Sequence, residues 1–446
     1  MPAVDPNRQF AAQVAARLHV AGFRALFAGG CVRDVLLERT PKDYDVATDA
    51  RPDAVRSLFG HKRTHAVGAS FGVVVVVPTK SERDRGVQPV EVATFRTEGP
   101  YLDGRRPEHV TFATPEEDAK RRDFTINGMF LDPIDDRVFD FVGGEADLKA
   151  GVVRAIGDPH ARMSEDKLRL LRAVRFAATL DFRLDDATAD AVRAMAPQLV
   201  VVSAERITQE LRRMLVHEHR RRAVELCIDS ELFAVIFPEV TPHERTLRML
   251  ASLDEPSFAV ALACLLHSLA ECLASGGRQP SESNPSDARN ARKADVPRSP
   301  EAVEAVVRRL KLSNDEAERV AWLVAHSPAF DGIRRDRPSR LKRLCANPGI
   351  AELIEFVRVR TLAEGGDLSD VQFVESFLAG TPREVIDPPL LLTGGDLIAL
   401  GLRPGPEFKR LLDEVRNAQL DETIATRDEA IDLARRLHAA GFLDTK

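Results

Sequence analysis

The sequence predicts an α+β protein, with a small mixed β-sheet head followed by helices. FGVVVVV at residues 71–77 is an uninterrupted β-branched run and reads as a central strand, with residues 90–95 beside it. Strand signals stop after about residue 158. Beyond that point apolar residues recur at helical spacing, in units such as 186–196, 204–216, 220–233 and 300–325.

Taken in order, residues 7–20 put Phe10, Val14 and Leu18 on one face of an amphipathic helix. ALFA at 25–28 is a short strand running into Gly29-Gly30, and a second helix carries Val32, Val35 and Leu36 towards Pro41. Residues 44–48 form the next strand, and Pro52 opens a helix ending near Phe59. Residues 97–113, TEGPYLDGRRPEHVTFA, read as a polar loop. Thr114 and Glu117 make a capping box, so a helix starts there and is expected to carry Arg121, Arg122 and Asp123. MFLDP and RVFDF form a hairpin about Asp135-Asp136, and Ser164 is expected to cap one long helix reaching Leu180. Residues 274–299 are poor in apolar side chains and read as a disordered insertion.

A chain of 446 residues exceeds one ordinary core and suits several domains. The net charge of −6 argues against polyanion binding over the whole surface. Residues 154–222, however, hold 14 Lys+Arg against 10 Asp+Glu, which leaves room for a local basic face. Five cysteines without a C-x-x-C pair fit reduced thiols and no zinc site. MPAVDPNRQF has no basic-then-apolar leader, and the apolar run at 258–266 is far short of the roughly 20 residues of a membrane span. A cytoplasmic protein with no membrane association and no protein partner is expected.

Chemistry concentrates at residues 26–49, LFAGGCVRDVLLERTPKDYDVATD. Asp43 and Asp45, two apart on a strand, project from the same face and offer oxygen ligands for Mg²⁺ ions against a triphosphate. Alone, D-x-D is weak, because most such pairs are solvated turn carboxylates. The adjoining Gly29-Gly30 turn, where a backbone can approach phosphate ahead of a helix, strengthens it. Glu91, charged between Val90 and Val92, is either a third carboxylate facing the metals or a salt-bridge partner of Arg96 or another arginine.

Arg121, Arg122, Asp123 and Asn127 suit phosphate and ribose contact, guanidinium forks for the one and amide or carboxylate for the other. Glu165 and Asp166 open the Ser164 helix, where acids also suit the macrodipole. Asp166 and Arg169 are three apart and present an acceptor beside a donor fork. Cytosine and adenine match that pair, whereas guanine and uracil set a carbonyl where the aspartate needs a donor. Arg172 and Arg175 continue the stripe, and residues 205–222 add six arginines against three glutamates, suited to RNA backbone contact or to simple solvation. His267, in ALACLLHSLAE, is followed by serine where a metal phosphohydrolase wants aspartate, and reads as a core histidine.

GGCVRD…KDYD, EVATFR, RRDFTINGMF, SEDKLRLLRAVRFA and SAERITQEL together resemble the class II tRNA nucleotidyltransferase and bacterial poly(A) polymerase family, of the polymerase-β-like superfamily. The resemblance spans about residues 20–240, with a fainter match near 391–432. It implies a nucleotidyltransferase head at 1–158, a helical base-reading and RNA-binding neck at 159–240, a body at 241–380 and a tail at 381–446. It further implies Mg²⁺-dependent addition of C, C and A from CTP and ATP to the tRNA 3′ end, releasing pyrophosphate. Asp43 and Asp45 would be the metal carboxylates, and Gly29, Gly30 and Arg33 the triphosphate-side motif. Arg122, Asp123 and Asn127 would contact ribose; Glu165, Asp166 and Arg169 would read the base; Glu205 and Arg206 would mark the neck motif. VGASFGVVVV and YLDGRRP lean towards full CCA addition. The alternatives are a poly(A) polymerase, an A-only or CC-only enzyme, and an inactive RNA-binding protein.

Overall fold

The computed structural model describes residues 5–65, 72–98, 110–269, 300–402 and 406–439. These fall into two compact units, Met1–Pro238 and Glu239–Lys446. The middle of the polar loop with YLDGRRP, the start of VGASFG, Cys272 and the segment 274–299 lie outside the described residues.

The first unit opens with α1 (Pro6–Val20), whose cap Asp5 accepts a hydrogen bond from the Asn7 amide at 2.9 Å. Next come β1 (Ala25–Ala28), α2 (Gly30–Leu36), β2 (Val46–Thr48), α3 (Pro52–Phe59) and β3 (Thr64–His65). They are followed by β4 (Val73–Val76), α4 (Lys80–Arg83), β5 (Val90–Thr94), β6 (Arg96–Glu98), β7 (Val110–Phe112) and α5 (Pro115–Lys120). The hairpin is β8 (Phe130–Leu131) and β9 (Val138–Phe139), paired as Phe130 with Phe139 and Leu131 with Val138. Seven strands make one mixed sheet, in the order β3-β4-β5-β2-β1-β8-β9. Its one parallel pair is β2 with β5; β6 and β7 form a separate ribbon.

The β-branched run is therefore one strand in from the edge, not central, and only its alternate residues Val74 and Val76 are buried. The middle of the sheet is β2, and Asp43 and Asp45 stand in the extended lead-in to it. There the Asp45 carbonyl accepts from the Ala28 amide at 3.0 Å, so the strand-like alternation begins before the regular pairing does.

Several helix boundaries differ from expectation for identifiable reasons. α5 keeps its capping box, with Thr114 Oγ1 accepting from Glu117 N at 3.3 Å, but it ends at Lys120, so Arg121, Arg122 and Asp123 follow the helix. After α6 (Gly144–Ala150) and β10 (Val152–Val153), the expected Ser164 helix is two helices, α7 (Pro159–Glu165) and α8 (Leu168–Leu180). Asp158 caps the first, and Ser164 is internal to it. Asp166 is extended, with φ −140° and ψ 108°, and its carboxylate accepts from the Leu168 amide at 3.0 Å.

One short strand lies beyond residue 158: β11 (Arg183–Leu184) runs parallel to β10. Then come α9 (Asp186–Met195), α10 (Ala204–Leu215), α11 (Arg220–Asp229) and α12 (Leu232–Ile236). The last two are separated at Glu231, which has a φ of +63°.

The second unit is helical among its described residues. The expected 300–325 helix is Pro300–Arg309 and Asn314–His326, separated where Lys311 takes φ +52° and Ser313 caps the second helix. Phe258–Leu266 is buried along its whole length. His267 is buried beside it and bonds the Cys264 carbonyl through Nδ1 at 2.7 Å, as a core histidine does. Near the chain end Leu392, Leu397, Leu411, Val415 and Ile424 form a separate apolar cluster. No helix among the described residues is long and apolar enough to cross a membrane.

Candidate active site

A cavity of about 980 Å³ opens in the first unit, walled by the Gly29-Gly30 turn, the Thr40–Asp45 lead-in, the residues after α5 and one face of α8. It gathers Gly29, Gly30, Arg33, Asp43, Asp45, Arg122, Asp123, Asn127, Asp166, Arg169, Arg172 and Arg175 from the sequence-derived set. Glu91 and Glu165 are not among the lining residues.

Gly29 has φ +76°, and a Cβ there would come within 2.9 Å of Arg122 Nη1. The turn therefore needs glycine for backbone conformation and for the approach of a guanidinium. α2, which follows it, has only seven residues.

Asp45 is flanked by carboxylates. Extending the parallel register of Val46 with Val92 sets Glu91 opposite Asp45, so both side chains share one face of the sheet. Burial, then the charges of Asp43 and Glu91, push the Asp45 carboxyl up to about 7, against a smaller opposing effect of Arg122. Among the described residues Glu91 is exposed and takes part in no ion pair. No three His, Cys, Asp or Glu side chains among the described residues make a ready metal cage. The donor set nonetheless fits a hard divalent cation such as Mg²⁺, which takes one or two carboxylates and completes its shell with water and phosphate oxygens.

The basic wall is built on buried acids. Asp118, 1% exposed, accepts from Arg121 Nε at 2.8 Å, from Arg122 Nε and Nη2 at 3.1 and 3.0 Å, and from the Arg96 amide at 3.2 Å. Burial alone would raise its pKa, but Arg122 and Arg121 hold it below the usual carboxylate range. Asp123 accepts from Arg172 at 2.9 and 2.5 Å and from Asn127 Nδ2 at 3.1 Å. Against its burial, the Arg172 charge holds this carboxyl well below the ordinary range. Arg33 donates to Asn127 Oδ1 at 2.8 Å and to Asp34 at 2.9 and 2.7 Å, which ties the first motif to the second.

The base-reading candidates are held apart. Asp166 takes both Arg206 donors, at 3.1 and 2.6 Å. Arg169 donates to Glu165 at 2.5 Å and to the Arg162 and Arg121 carbonyls at 2.9 and 3.2 Å. Glu165 thus anchors Arg169 from behind, and Arg206 does the same for Asp166. Arg175 bonds Glu210, 3% exposed, and its guanidinium lies 3.9 Å from the Phe176 ring centre, with Arg172 at 5.1 and Arg33 at 5.2 Å. Burial, helped by the Arg172 charge, draws Arg175 down to about 10 in spite of Glu210.

Sequence reasoning missed Asp118, Glu210 and Phe176. For Asp118 a signal existed: Arg121 and Arg122 follow it at i+3 and i+4, although such acids are usually surface partners. Arg39, Lys42, Arg213 and His217, also on the cavity wall, had no signal beyond charge, and Thr40 and Thr179 had none.

This fold and cavity define a nucleotidyltransferase head carrying a basic helical extension. Residues 25–154 match the poly A polymerase head domain, and 181–244 match the probable RNA and SrmB-binding site of polymerase A. The chain is 32% identical over 416 residues to the CCA-adding enzyme of Lactobacillus helveticus strain DPC 4571, covering 93% of each. It is also 32% identical over 418 residues to that of Lacticaseibacillus paracasei strain ATCC 334, covering 92% of each. The crystal structure of the Bacillus stearothermophilus CCA-adding enzyme in complex with CTP superposes with a TM-score of 0.71 at 28% identity, over 98% of this chain and 99% of that one. The chain belongs to the CCA-adding enzyme family of tRNA nucleotidyltransferases.

Proposed function

We propose that the chain adds C, C and A to the 3′ end of tRNA from CTP and ATP, releasing pyrophosphate. The observation that carries this reading is one cavity wall holding Asp43 and Asp45 together with the separately anchored Asp166 and Arg169. The CCA-adding names of relatives that align over nearly the whole chain, and the CTP bound to the B. stearothermophilus enzyme, support it.

Asp43 and Asp45, with Glu91 beside them, would hold divalent Mg²⁺. When bound, the metal pair would lower the pKa of the primer hydroxyl and offset charge on the leaving pyrophosphate. The chain's own residues orient the reactants. Arg122, fixed on Asp118, meets phosphate oxygens beside Gly29, where the backbone can approach. Asp123 and Asn127 meet ribose hydroxyls, and Arg33, clamped to Asn127, keeps that amide in one rotamer. Arg172 and Arg175 add positive charge where the triphosphate lies.

Asp166 accepts the exocyclic amino group of C or A while Arg169 donates to the adjoining ring acceptor, and neither has its partner in G or U. The division into head 1–158, neck 159–240, body 241–380 and tail 381–446, and a cytoplasmic setting consistent with buried thiols at Cys31, Cys227, Cys264 and Cys345, belong to the same proposal.

The test supplies Mg²⁺, tRNA transcripts ending before C, CC and CCA, and each nucleotide separately. Stepwise CMP then AMP incorporation is expected. Long A tails from ATP alone would favour a poly(A) polymerase, and no incorporation would favour an RNA-binding role.

A further inference from the structure

The cavity is graded. Its inner wall, Arg33, Asp123, Asn127, Arg169 and Arg175, is buried and internally paired. Its outer wall is more open to solvent. Arg39 and Lys42, in the segment between α2 and Asp43, are exposed and have no ion pair among the described residues. Arg213, on the last turn of α10, has a 60% exposed side chain and shares Glu210 with Arg175.

His217 completes this edge. Its Nδ1 accepts from the His219 amide at 3.2 Å, so a neutral ring donates through Nε2. Burial and then the neighbouring His219 hold its pKa down, Arg39 adds to this, and both residues line the same cavity.

At about 980 Å³, the cavity is at the upper end of the roughly 300–1,000 Å³ of single-ligand pockets, and the buried wall already supplies a nucleotide's needs. A second phosphate-bearing reactant must reach Asp43 from solvent, and the exposed cations line the same cavity as Asp43.

We infer that Arg39, Lys42, Arg213 and His217 form a rim that grips the backbone phosphates of the RNA's terminal nucleotides, separate from the inner arginines that take the nucleoside triphosphate. This rests on the proposed transfer to an RNA 3′ end. It also sorts the basic stretch at 205–222. Arg206 is engaged by Asp166, Arg221 by Glu225 and Arg222 by Asp181, Arg220 is buried against the Leu215 carbonyl, and Arg213 is the arginine of the six that lines the cavity.

The same phosphate chemistry is offered by the triphosphate tail, so the test separates the two. Wild type, Arg39→Ala/Lys42→Ala, Arg213→Ala and the charge-keeping Arg39→Lys/Lys42→Arg are titrated with fluorescent tRNA lacking CCA between 50 and 200 mM salt, conditions over which phosphate binding weakens strongly. CTP binding is measured without RNA. The alanine variants should bind RNA about tenfold more weakly, and the log–log salt slope should fall by about one for each phosphate left without its cation. Their CTP affinity should be retained, and the charge-keeping variant should bind RNA as wild type does.

Weakened CTP binding with unchanged RNA binding would reassign the rim to the triphosphate. No change in either would make it a solvated edge, and both outcomes overturn the inference. Because the readout is binding, loss of the RNA effect is distinguishable from failure of CCA addition, which is read from incorporation by the wild type.

Discussion

Arg206 grips both oxygens of Asp166, at 3.1 and 2.6 Å, across 40 residues of chain. The bidentate pair, with the Leu168 amide on the same carboxylate, holds Asp166 out of helical conformation and ends α7 one residue earlier. Asp166 is thereby fixed in position without using Arg169. Arg206→Ala should leave the aspartate free to swing or to join a continuous helix. Misincorporation of UMP and GMP relative to CMP should rise about tenfold, a loss of roughly 1.4 kcal/mol of discrimination, while the CTP turnover number falls less. Unchanged discrimination in single-nucleotide incorporation assays would remove Arg206 from base selection.

The break at Asp166 shows where sequence reading reached its limit. SEDKLRLLRAVRFA is made of good helix formers, and the interruption comes from a tertiary partner in α10 that local propensity does not register. The opposite case is β1 and α3, where four apolar residues ahead of two glycines, and a proline at a helix start, are local signals that match the observed bounds. Site residues followed the same division. Asp43, Asp45 and Asp166 were legible as residues of one cavity because short motifs single them out. Phe176 and Glu210 were not, because a buried aromatic under three guanidiniums and a buried glutamate read as ordinary helix positions.

Asp45 makes the chelated protein sensitive to pH. Its carboxyl is pushed up to about 7 by burial, then by Asp43 and Glu91, so the folded protein binds this proton more tightly than the unfolded chain, whose aspartate titrates at about 4. The resulting penalty is absent below the unfolded value and grows until pH passes 7. In EDTA, Asp45→Asn should therefore melt higher than wild type at pH 8, and the difference should vanish near pH 4. Adding Mg²⁺ at pH 8 should raise the wild-type melting temperature and leave Asp45→Asn unmoved, because binding to the folded form alone is stabilising. Equal Mg²⁺ shifts in the two proteins would count against Asp45 as a ligand. Nucleotide transfer by Asp45→Asn should be lost under all these conditions.

Arg172 and Asp123 predict the opposite pH slope. Arg172 outweighs the burial of Asp123 and lowers its pKa, so the pair's stabilisation is complete above about pH 4 and lost as pH falls towards the depressed folded value. Arg172→Met strands the carboxylate in a buried position and should cost about 3–5 kcal/mol at pH 7. The gap between wild type and variant in urea unfolding should narrow as pH drops below 4. A gap independent of pH would mean that Arg172 acts through packing on Phe176, 5.1 Å from its guanidinium, instead of through Asp123.

Asp118 tests whether the basic wall needs its buried anchor. This carboxylate lies behind the cavity, so no substrate atom has to touch it, yet it fixes Arg121 and Arg122 together and caps the Arg96 amide. Asp118→Asn keeps the shape and removes the charge, whereas Asp118→Ala leaves two guanidiniums facing one another without an anion. The asparagine variant should fold, and its CTP and ATP KM values should rise about tenfold through freed Arg122 rotamers, a change of roughly 1.4 kcal/mol. Its RNA affinity should be unaffected, because Arg122 lies beside Gly29, on the side proposed for the triphosphate. The alanine variant should lose a further increment in stability, measurable by urea unfolding, as an anchor for two charges is removed. If Asp118→Asn raised the KM for RNA and left that for CTP alone, Arg122 would belong to the primer side of the cavity and not to the triphosphate side.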